Sequence, residues 1–435
     1  MNIRDVLQKI ENNAYTKTFQ KLYGTSEEVL QHQKQRYLDA VQKFTQLYPK
    51  RKAIRIYSAP GRTEIGGNHT DHQHGCVLAA AVNLDAIAVV AFHRDGVIRV
   101  KSEGYDAFTV NLDDLSVQSG QKGTAAIICG IAAKFSGMGA EIGGFDLYCT
   151  SDVLSGSGIS SSAAFETLIG TIIDSYYNDS KAGAVEIAKI GQFAENVYFG
   201  KKSGLMDQMV SSVGGLVSID FYDTDNPEIE PFDFDFEAHG YCLCITDTKG
   251  SHANLTDDYV AIRSEMEAVA AYFGKPYLRE VSEIAFYDAI PQLRETCPDR
   301  AILRASHFFS ENSRALQEAD ALKSGNLGEF LRLVNESGES SAQLLQNLYS
   351  TSQPTKQEIP LAIMMSKRVL NGTGAVRVHG GGFAGTIQAF VPLELADAYT
   401  AEMNRIFGEH ACQKMRIRPV GGVEITEESA QGGAL

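Results

Sequence analysis

The stretch Asp152–Glu166 reads DVLSGSGISSSAAFE, and it places a glycine- and serine-rich turn directly before a helix that we predict from about Ser161 to Tyr177. The first N–H groups of a helix have no partner within the helix, and with the helix dipole they attract anions. Gly156 and Gly158 would let the backbone approach phosphate oxygens closely. The Gly-Lys-Ser/Thr sequence of the Walker loop is missing, however, and serine-rich turns also cap helices without binding a ligand. Taken alone, the turn leaves phosphate binding and helix capping equally open.

A second segment, Gly61–Gly75, concentrates polar side chains in a loop interrupted by glycines. It contains Asp71 and the histidines His69, His72 and His74, so three of the ten histidines fall within six residues. Histidine and aspartate are ligands of zinc and iron, and a metal-dependent hydrolase is one interpretation. No matching cluster follows later in the chain, and Asn, His and Asp side chains also suit the several hydroxyls of a sugar. We favour sugar binding over metal binding.

A third segment, Gly380–Gly385, formally satisfies the G-x-G-x-x-G pattern of dinucleotide-binding proteins. In those proteins the pattern opens a helix, whereas the residues that follow here, Thr386–Val391, alternate like a strand. We therefore predict a glycine turn between two strands, which would also suit a loop that faces a phosphate.

Between these segments, strands and helices are interleaved without the regular order of a doubly wound fold, which predicts the α+β class. Strand patterns cover Ala86–Phe92 and Ile98–Lys101, and the turn sequence between them predicts a hairpin. A chain of 435 residues is expected to form two domains. An Asp- and Pro-rich stretch marks the boundary, which we place between an N-terminal domain of residues 1–222 and a C-terminal domain of residues 223–435.

Composition argues against several classes of partner and location. The chain has 39 basic and 54 acidic side chains, and its net charge of −15 disfavours binding to nucleic acid. Its start lacks the apolar core of a signal peptide, and we expect neither a membrane span nor a partner protein. The seven cysteines are scattered and odd in number, which indicates a reducing cytoplasm. For the one close pair, Cys242 and Cys244, we predict side chains on opposite faces of a strand.

Taken together, the three segments resemble the signature motifs of the galactokinases, a family of the galactose, homoserine, mevalonate and phosphomevalonate (GHMP) kinase superfamily. Ala59–Asp71 is similar to the sugar-binding signature, Gly156–Glu166 to the phosphate loop and Gly380–Gly385 to the C-terminal glycine motif. The resemblance implies a two-domain fold of the GHMP kinase type with the active site in the cleft between the domains. It also implies transfer of the γ-phosphoryl group of ATP to the C1 hydroxyl of a galactose-like hexose.

The resemblance assigns catalysis to two residues. Asp207 falls on the position of the catalytic aspartate, and Arg62 on that of the arginine beside it. A guanidinium favours the ionised carboxylate, which could then accept the proton of the attacking hydroxyl. Phosphoryl transfer depends mostly on positioning and electrostatic stabilisation, so a weak base suffices. Without the motifs, a buried structural ion pair would be the simpler interpretation.

Other residues receive binding roles from the same resemblance. The ATP-binding positions of the phosphate loop are Gly156, Ser157, Gly158, Ser160, Ser161 and Ser162. Ser162 and Glu195 match the ligands of Mg²⁺, which prefers such hard oxygen donors. The sugar-binding positions are Asn68, His69, Asp71, Gly204 and Tyr259. Glu166 lies near the loop, but we interpret it as an exposed helix residue.

Asn68 departs from the family pattern, which has a glutamate immediately before His-Thr-Asp. In the family that glutamate contacts the C6 hydroxyl of the sugar, and a neutral amide would not repel a sugar that carries a carboxylate. One alternative substrate is therefore a C6-modified sugar such as galacturonate, unless Glu64 or His72 restores the contact. Another alternative is a non-catalytic sensor of sugar and ATP, which the intact Asp207 and Ser160–Ser162 argue against.

Overall fold

The computed structural model describes residues 1–117, 123–153, 159–201, 203–251 and 255–427. Within these ranges the chain forms two sheets surrounded by helices, which is the α+β arrangement that the sequence predicts. The strands are β1 (Arg55–Gly66), β2 (Cys76–Phe92), β3 (Val97–Ser102), β4 (Phe108–Asn111), β5 (Phe145–Ser151), β6 (Leu216–Asp220), β7 (Glu228–Phe232), β8 (Tyr241–Asp247), β9 (Ala375–His379), β10 (Thr386–Pro392), β11 (Cys412–Met415) and β12 (Val423–Glu424).

The helices of the described ranges fall into groups that cover the two sheets. They are α1 (Ile3–Glu11), α2 (Thr16–Tyr23), α3 (Glu27–Leu47), α4 (Thr124–Gly137), α5 (Ser161–Tyr177), α6 (Gly183–Phe193), α7 (Met206–Val213), α8 (Thr256–Tyr272), α9 (Glu283–Asp288), α10 (Ile290–Thr296), α11 (Asp299–Lys323), α12 (Leu327–Ser340), α13 (Glu358–Leu370) and α14 (Ala396–Phe407). Within the same ranges, no helix combines the length and apolar character that crossing a membrane would require.

The larger sheet has the strand order β12-β1-β2-β5-β3-β4, and β6 and β7 extend it beside the first half of β2. The predicted hairpin between β2 and β3 is wrong, because β5 lies between these strands. Residues 86–92 of β2 pair with β5 in antiparallel register, and β3 pairs with β5 in parallel. A turn sequence alone does not reveal that a later strand inserts between its two neighbours.

Strand β2 is buried on both faces, which is expected of a central strand. Its side chains alternate with a period of two, as strand geometry requires. Ala86, Ala88 and Val90 face the core that α4 and α5 share, whereas Ile87 and Val89 face the core formed with α1, α2 and α3. Helices therefore cover both faces of the larger sheet and fix the position of β1 beside β2.

The smaller sheet has the order β11-β8-β10-β9, and α13 and α14 pack against it. The predicted glycine turn between two strands is confirmed, since Gly380–Gly385 connects β9 to β10. The prediction for Cys242 and Cys244 is wrong: residues two apart on a strand share a face. Their Sγ atoms lie 3.7 Å apart in one core, whereas Leu243 between them faces another.

The two sheets do not divide at a single point in the sequence. Residues 228–232 form β7 and residues 423–424 form β12, and both strands belong to the larger sheet although they follow residue 222. The division into domains 1–222 and 223–435 stays a prediction.

Candidate active site

A pocket of about 270 Å³ lies where the two sheets meet. The end of β1, the loop after it, the start of α7 and the glycine turn between β9 and β10 form its walls. Five of the predicted site residues line it: Arg62, His69, Asp71, Gly204 and Asp207. Segments far apart in sequence thus bring the sugar-binding signature, the catalytic segment and the third glycine motif together.

Arg62 and Asp207 form a two-point ion pair at the wall of this pocket. Nε of Arg62 donates to Oδ1 of Asp207 over 2.7 Å, and a terminal guanidinium nitrogen donates to Oδ2 over 2.8 Å. The hydroxyl of Ser160 donates to the same Oδ2, also over 2.8 Å. The Asp207 side chain is 32% exposed, so the carboxylate stays accessible from the pocket. That exposure is not expected of a purely structural buried pair.

The surroundings of Asp207 keep its carboxylate ionised. Burial raises the pKa of Asp207, but the charge of Arg62 and the hydrogen bonds from Arg62 and Ser160 outweigh burial and hold the pKa below its usual value. Asp207 also lies in the first turn of α7, where the helix dipole favours a negative charge. The group can therefore accept a proton near neutral pH.

Ser160 occupies the N-cap position of α5 in a left-handed conformation with φ of 55°, yet its side chain does not cap the helix. Its hydroxyl is used by Asp207 instead, so the helix-capping interpretation does not account for this serine. Ser161 is half-buried and Ser162 is exposed at the start of α5. The predicted ATP-binding residues Gly156, Ser157 and Gly158 lie outside the described residues.

Glu195 lies in a π-helical turn, Ala194–Phe199, and is 3% exposed. Three side chains hold its carboxylate: Nζ of Lys201 at 2.8 Å, Oγ of Ser203 at 2.5 Å and Nε2 of Gln208 at 3.0 Å. Ser203 and Gln208 flank Asp207 in sequence, so one short segment carries the predicted base and holds the predicted metal ligand in place. The pairing of Glu195 with Ser162 around Mg²⁺ stays a prediction.

The interpretation of Glu166 as an exposed residue is wrong, since its side chain is fully buried. Helix α5 packs against α4, α6 and α7, and no side of it is left to solvent there. Oε2 of Glu166 accepts a hydrogen bond from Nε2 of Gln208 over 2.8 Å, whereas Oε1 has no partner among the described residues. Burial, followed by the charge of Glu195, raises the pKa of Glu166 well above its usual value.

The histidines of the second segment contact the glycine turn and each other. Nε2 of His69 donates to the carbonyl of Gly381 over 2.9 Å, and its Nδ1 lies 3.3 Å from Nε2 of His72. Burial and the neighbouring His69 lower the pKa of His72 well below its usual value, so this imidazole is neutral. His74 instead stacks on Tyr277, with ring centroids 3.7 Å apart.

No cluster of three or more His, Cys, Asp or Glu side chains in the described part of the chain is arranged to hold a metal ion. Asp71 is a neighbour of Gly204, because a Cβ atom on that glycine would lie 2.9 Å from Oδ2 of Asp71. Burial raises the pKa of Asp71. The geometry gives no support to a hydrolase built on the three histidines.

Two predicted sugar-binding residues do not line the pocket. Asn68 is fully buried, and Nδ2 of its side chain donates to the carbonyl of Gly380 and to Oε1 of Glu64. The Tyr259 hydroxyl donates to the carbonyl of Gly382 over 2.9 Å, so it supports the glycine turn from behind. Direct contact of either residue with a sugar stays a prediction.

Sequence reasoning missed several residues that shape the site. Glu64 lines the pocket and is 6% exposed, although a residue at this position was considered only as a substitute for position 68. Ser203 and Gln208 stood in the quoted motif without a role, and the signal that could have found them is their polarity beside Asp207. Lys201 was missed as well, and its contact with Glu195 has no sequence signature.

Comparisons with known proteins agree with this assembly. The galactokinase galactose-binding signature matches residues 42–92, and the N-terminal domain of GHMP kinases matches residues 116–215. The galactokinase of Actinobacillus pleuropneumoniae serotype 5b (strain L20) is 31% identical over 379 residues, which are 85% of this chain and 92% of the relative. The galactokinase of serotype 3 (strain JL03) is 31% identical over 363 residues, which are 82% of this chain and 89% of the relative.

Solved structures show the same fold. The crystal structure of Lactococcus lactis galactokinase complexed with galactose superposes with a TM-score of 0.76 at 23% identity, covering 89% of this chain and 99% of the other. A mevalonate kinase superposes with a TM-score of 0.59 at 15% identity, covering 83% of this chain and 98% of the other, so the fold is that of the GHMP kinases. With two curated relatives aligned along most of its length and the signature segments meeting in one pocket, the chain belongs to the galactokinase family.

Proposed function

We propose that this protein transfers the γ-phosphoryl group of ATP to the C1 hydroxyl of galactose, with Asp207 as the base. The observation that carries the proposal is the accessible Asp207 carboxylate at the pocket wall, fixed by Arg62 and Ser160. The family supports the reaction class, and the Lactococcus lactis relative was crystallised with galactose.

In the proposed reaction, Asp207 takes the proton of the C1 hydroxyl as the hydroxyl oxygen attacks the γ-phosphorus of ATP. The bond from the γ-phosphorus to the bridging oxygen breaks, and ADP leaves with that oxygen. Arg62 holds the Asp207 carboxylate in one orientation through two hydrogen bonds and keeps positive charge near the transferred group. The reaction needs positioning and charge stabilisation more than a strong base, which suits a carboxylate of low pKa.

Magnesium and the ATP phosphates are proposed to lie at the start of α5. The Ser162 hydroxyl and the Glu195 carboxylate are hard oxygen donors, so their chemistry fits Mg²⁺. When bound, the ion would neutralise charge on the phosphates. Lys201, which contacts Glu195, adds a positive charge on the same side as the predicted phosphate site.

The alternatives are not favoured. A carboxylate-bearing sugar such as galacturonate would meet the carboxylate of Glu64 in the pocket, even though position 68 is an amide. A non-catalytic sensor would not need a polarised base, and Asp207 keeps its arginine and serine partners. We also propose a cytoplasmic location, which the seven free cysteines support.

The test is release of ADP from ATP and Mg²⁺ in the presence of galactose, glucose, galacturonate or 6-deoxygalactose, with phosphorus NMR of the product. We expect rapid release with galactose and a product that is phosphorylated at C1. Fast turnover of galacturonate with little activity on galactose would contradict the proposed substrate. Absence of ADP release with every sugar, despite measurable binding, would favour the sensor.

A further inference from the structure

The carboxylate on the sugar side of the pocket comes from Glu64. The Glu64 side chain lines the pocket beside His69, whereas Asn68, at the position of the family glutamate, is fully buried. The chain therefore offers a carboxylate to a ligand from a position four residues earlier than its resemblance to the family predicts.

One oxygen of Glu64 is fixed and the other is available. Oε1 accepts hydrogen bonds from a terminal nitrogen of Arg377 over 2.7 Å and from Nδ2 of Asn68 over 3.0 Å. Oε2 has no hydrogen-bond partner among the described residues. Both donors are fully buried, so the orientation of the carboxylate is set before a ligand arrives.

Glu64 is placed to meet the side of the sugar that does not react. Arg62 and Glu64 are two residues apart in the regularly paired part of β1, so their side chains project on the same side of the strand. Their Cα atoms are about 7 Å apart, which is comparable to the width of a hexose ring. A sugar whose reacting hydroxyl lies at Asp207, the partner of Arg62, would present a distant hydroxyl to Glu64.

Asn68 is matched to this role because it supplies the donors that a carboxylate lacks. Its amide nitrogen donates to Glu64 and to the carbonyl of Gly380, and its Oδ1 accepts from Nδ2 of Asn347. A glutamate at position 68 could make neither donation and would place a second negative charge beside Glu64. The residues at positions 64 and 68 therefore work as a pair.

We propose that Glu64 is a specificity-determining residue that selects the sugar by accepting a hydrogen bond from one hydroxyl remote from the phosphorylated one. Asn68 and Arg377 are positioning residues that hold its carboxylate. The inference rests on the proposed function only in that the ligand of the pocket is a hexose.

The experiment compares galactose with its 2-, 3-, 4- and 6-deoxy analogues as substrates of wild-type protein and of Glu64→Gln. A hydrogen bond to a charged group corresponds to about 10- to 100-fold in kcat/KM, so wild type should discriminate against one remote deoxy sugar by about that factor. In Glu64→Gln this penalty should fall to a few-fold, with the other penalties and the KM for ATP unchanged. Sugar-induced thermal shifts, measured on the same panel, report binding without turnover.

Glu311→Gln is the matched control. Glu311 also lies near Arg377, at 3.8 Å, but it is fully buried and does not line the pocket. This control should lower stability and leave every deoxy-sugar penalty as in wild type. An unchanged set of penalties in Glu64→Gln, or an equal change for all analogues, would overturn the proposal.

A second pair of variants tests the match between positions 64 and 68. Asn68→Glu alone should weaken galactose binding more than the double variant Glu64→Asn with Asn68→Glu, which restores a donor beside the new carboxylate. Equal or weaker binding by the double variant would count against the pairing. If wild type binds the sugars but turns none over, the proposed function fails and the thermal shifts still test Glu64. If it binds none of them, both proposals fail.

Discussion

Two carboxylates beside the active site, Asp207 and Glu166, differ in what surrounds them. Asp207 receives two hydrogen bonds from Arg62 and one from Ser160. Glu166 receives one hydrogen bond from Gln208, and its nearest charged neighbour is Glu195. Burial raises the pKa of both groups, yet the pKa of Asp207 is lowered overall and that of Glu166 is raised.

The contrast shows that the supply of cations, more than burial, decides which carboxylate is ionised. Helix α11 repeats it, because Glu311 and Glu318 are both fully buried. Burial raises the pKa of Glu311, but His307, Arg314 and Arg377 bring it to about 2. Burial raises the pKa of Glu318 well above its usual value, and neither of its oxygens has a hydrogen-bond partner among the described residues. The protein places its arginines beside the carboxylates that must carry charge.

Removing the ionised base should have the largest effect. Asp207→Asn is expected to lower kcat about 1000-fold, because the amide cannot accept the sugar proton and Arg62 loses its counter-charge. The measurement is ADP release at saturating galactose and ATP, with thermal shifts confirming that both ligands still bind. A kcat within about tenfold of wild type would mean that Asp207 is not the base.

The pair on α11 tests the same contrast through stability. Glu311→Gln should lower the free energy of unfolding by about 3 kcal/mol at pH 7, since it leaves Arg314 and Arg377 without a full counter-charge. The folded pKa of Glu311 is about 2, below its ordinary 4.5, so its contribution is present above pH 4.5 and is lost as the pH falls toward 2.

Urea unfolding at pH 7 and pH 4 measures this loss, and Glu318→Gln is the control. That variant should change the free energy of unfolding by less than about 1 kcal/mol at pH 7, because the carboxyl it replaces is already neutral. Equal losses from the two variants would contradict the difference in charge between the two sites.

A smaller effect is expected when the cation beside Asp207 is kept but its shape is changed. Arg62→Lys preserves the charge and removes the two-point contact, so kcat/KM should fall about 10- to 100-fold. The pKa of Asp207 should rise, and activity should be lost at a higher pH than in wild type as the solution is acidified. The pH profile of kcat/KM checks this, and an unmoved acid limb would show that Arg62 does not control the ionisation of Asp207.

The smallest effect should come from Glu166→Gln. At pH 7 the free energy of unfolding should lie within about 1 kcal/mol of wild type, because an amide replaces a carboxyl that is neutral. A raised folded pKa means that the contribution of Glu166 to stability is present at low pH and is lost as the pH rises. The variant should therefore gain stability relative to wild type between pH 6 and pH 9, and urea unfolding at several pH values measures it. A difference that falls with pH would contradict a neutral Glu166.

Local patterns predicted elements well and neighbours poorly. The helix Ser161–Tyr177 begins and ends where its cap and periodicity indicate. The hairpin between β2 and β3 could not be recognised as wrong from its turn, because the inserted β5 begins at Phe145, far along the chain. The faces of Cys242 and Cys244, in contrast, follow from strand geometry alone.

For the candidate site, the motifs identified the residues that meet, and the structure supplied their surroundings. Arg62 and Asp207 were expected to be neighbours and they are. The burial of Glu166 depends on α4, α6 and α7 covering every side of α5, and no pattern in the sequence encodes that packing. Likewise, the exchange of roles between Glu64 and Asn68 requires Arg377, which lies more than 300 residues away in the chain.

The most direct test of the central claim is the ionisation state of Asp207 itself. Carbon-13 NMR of protein labelled at the aspartate side-chain carboxyl carbon, with Asp207→Asn to assign the resonance, follows this group between pH 4.5 and pH 8. We predict the chemical shift of an ionised carboxylate throughout, because Arg62 and Ser160 hold the pKa of Asp207 below its usual value. A protonation step within this range would contradict the account, since Asp207 would then not be the permanently ionised base that the geometry implies.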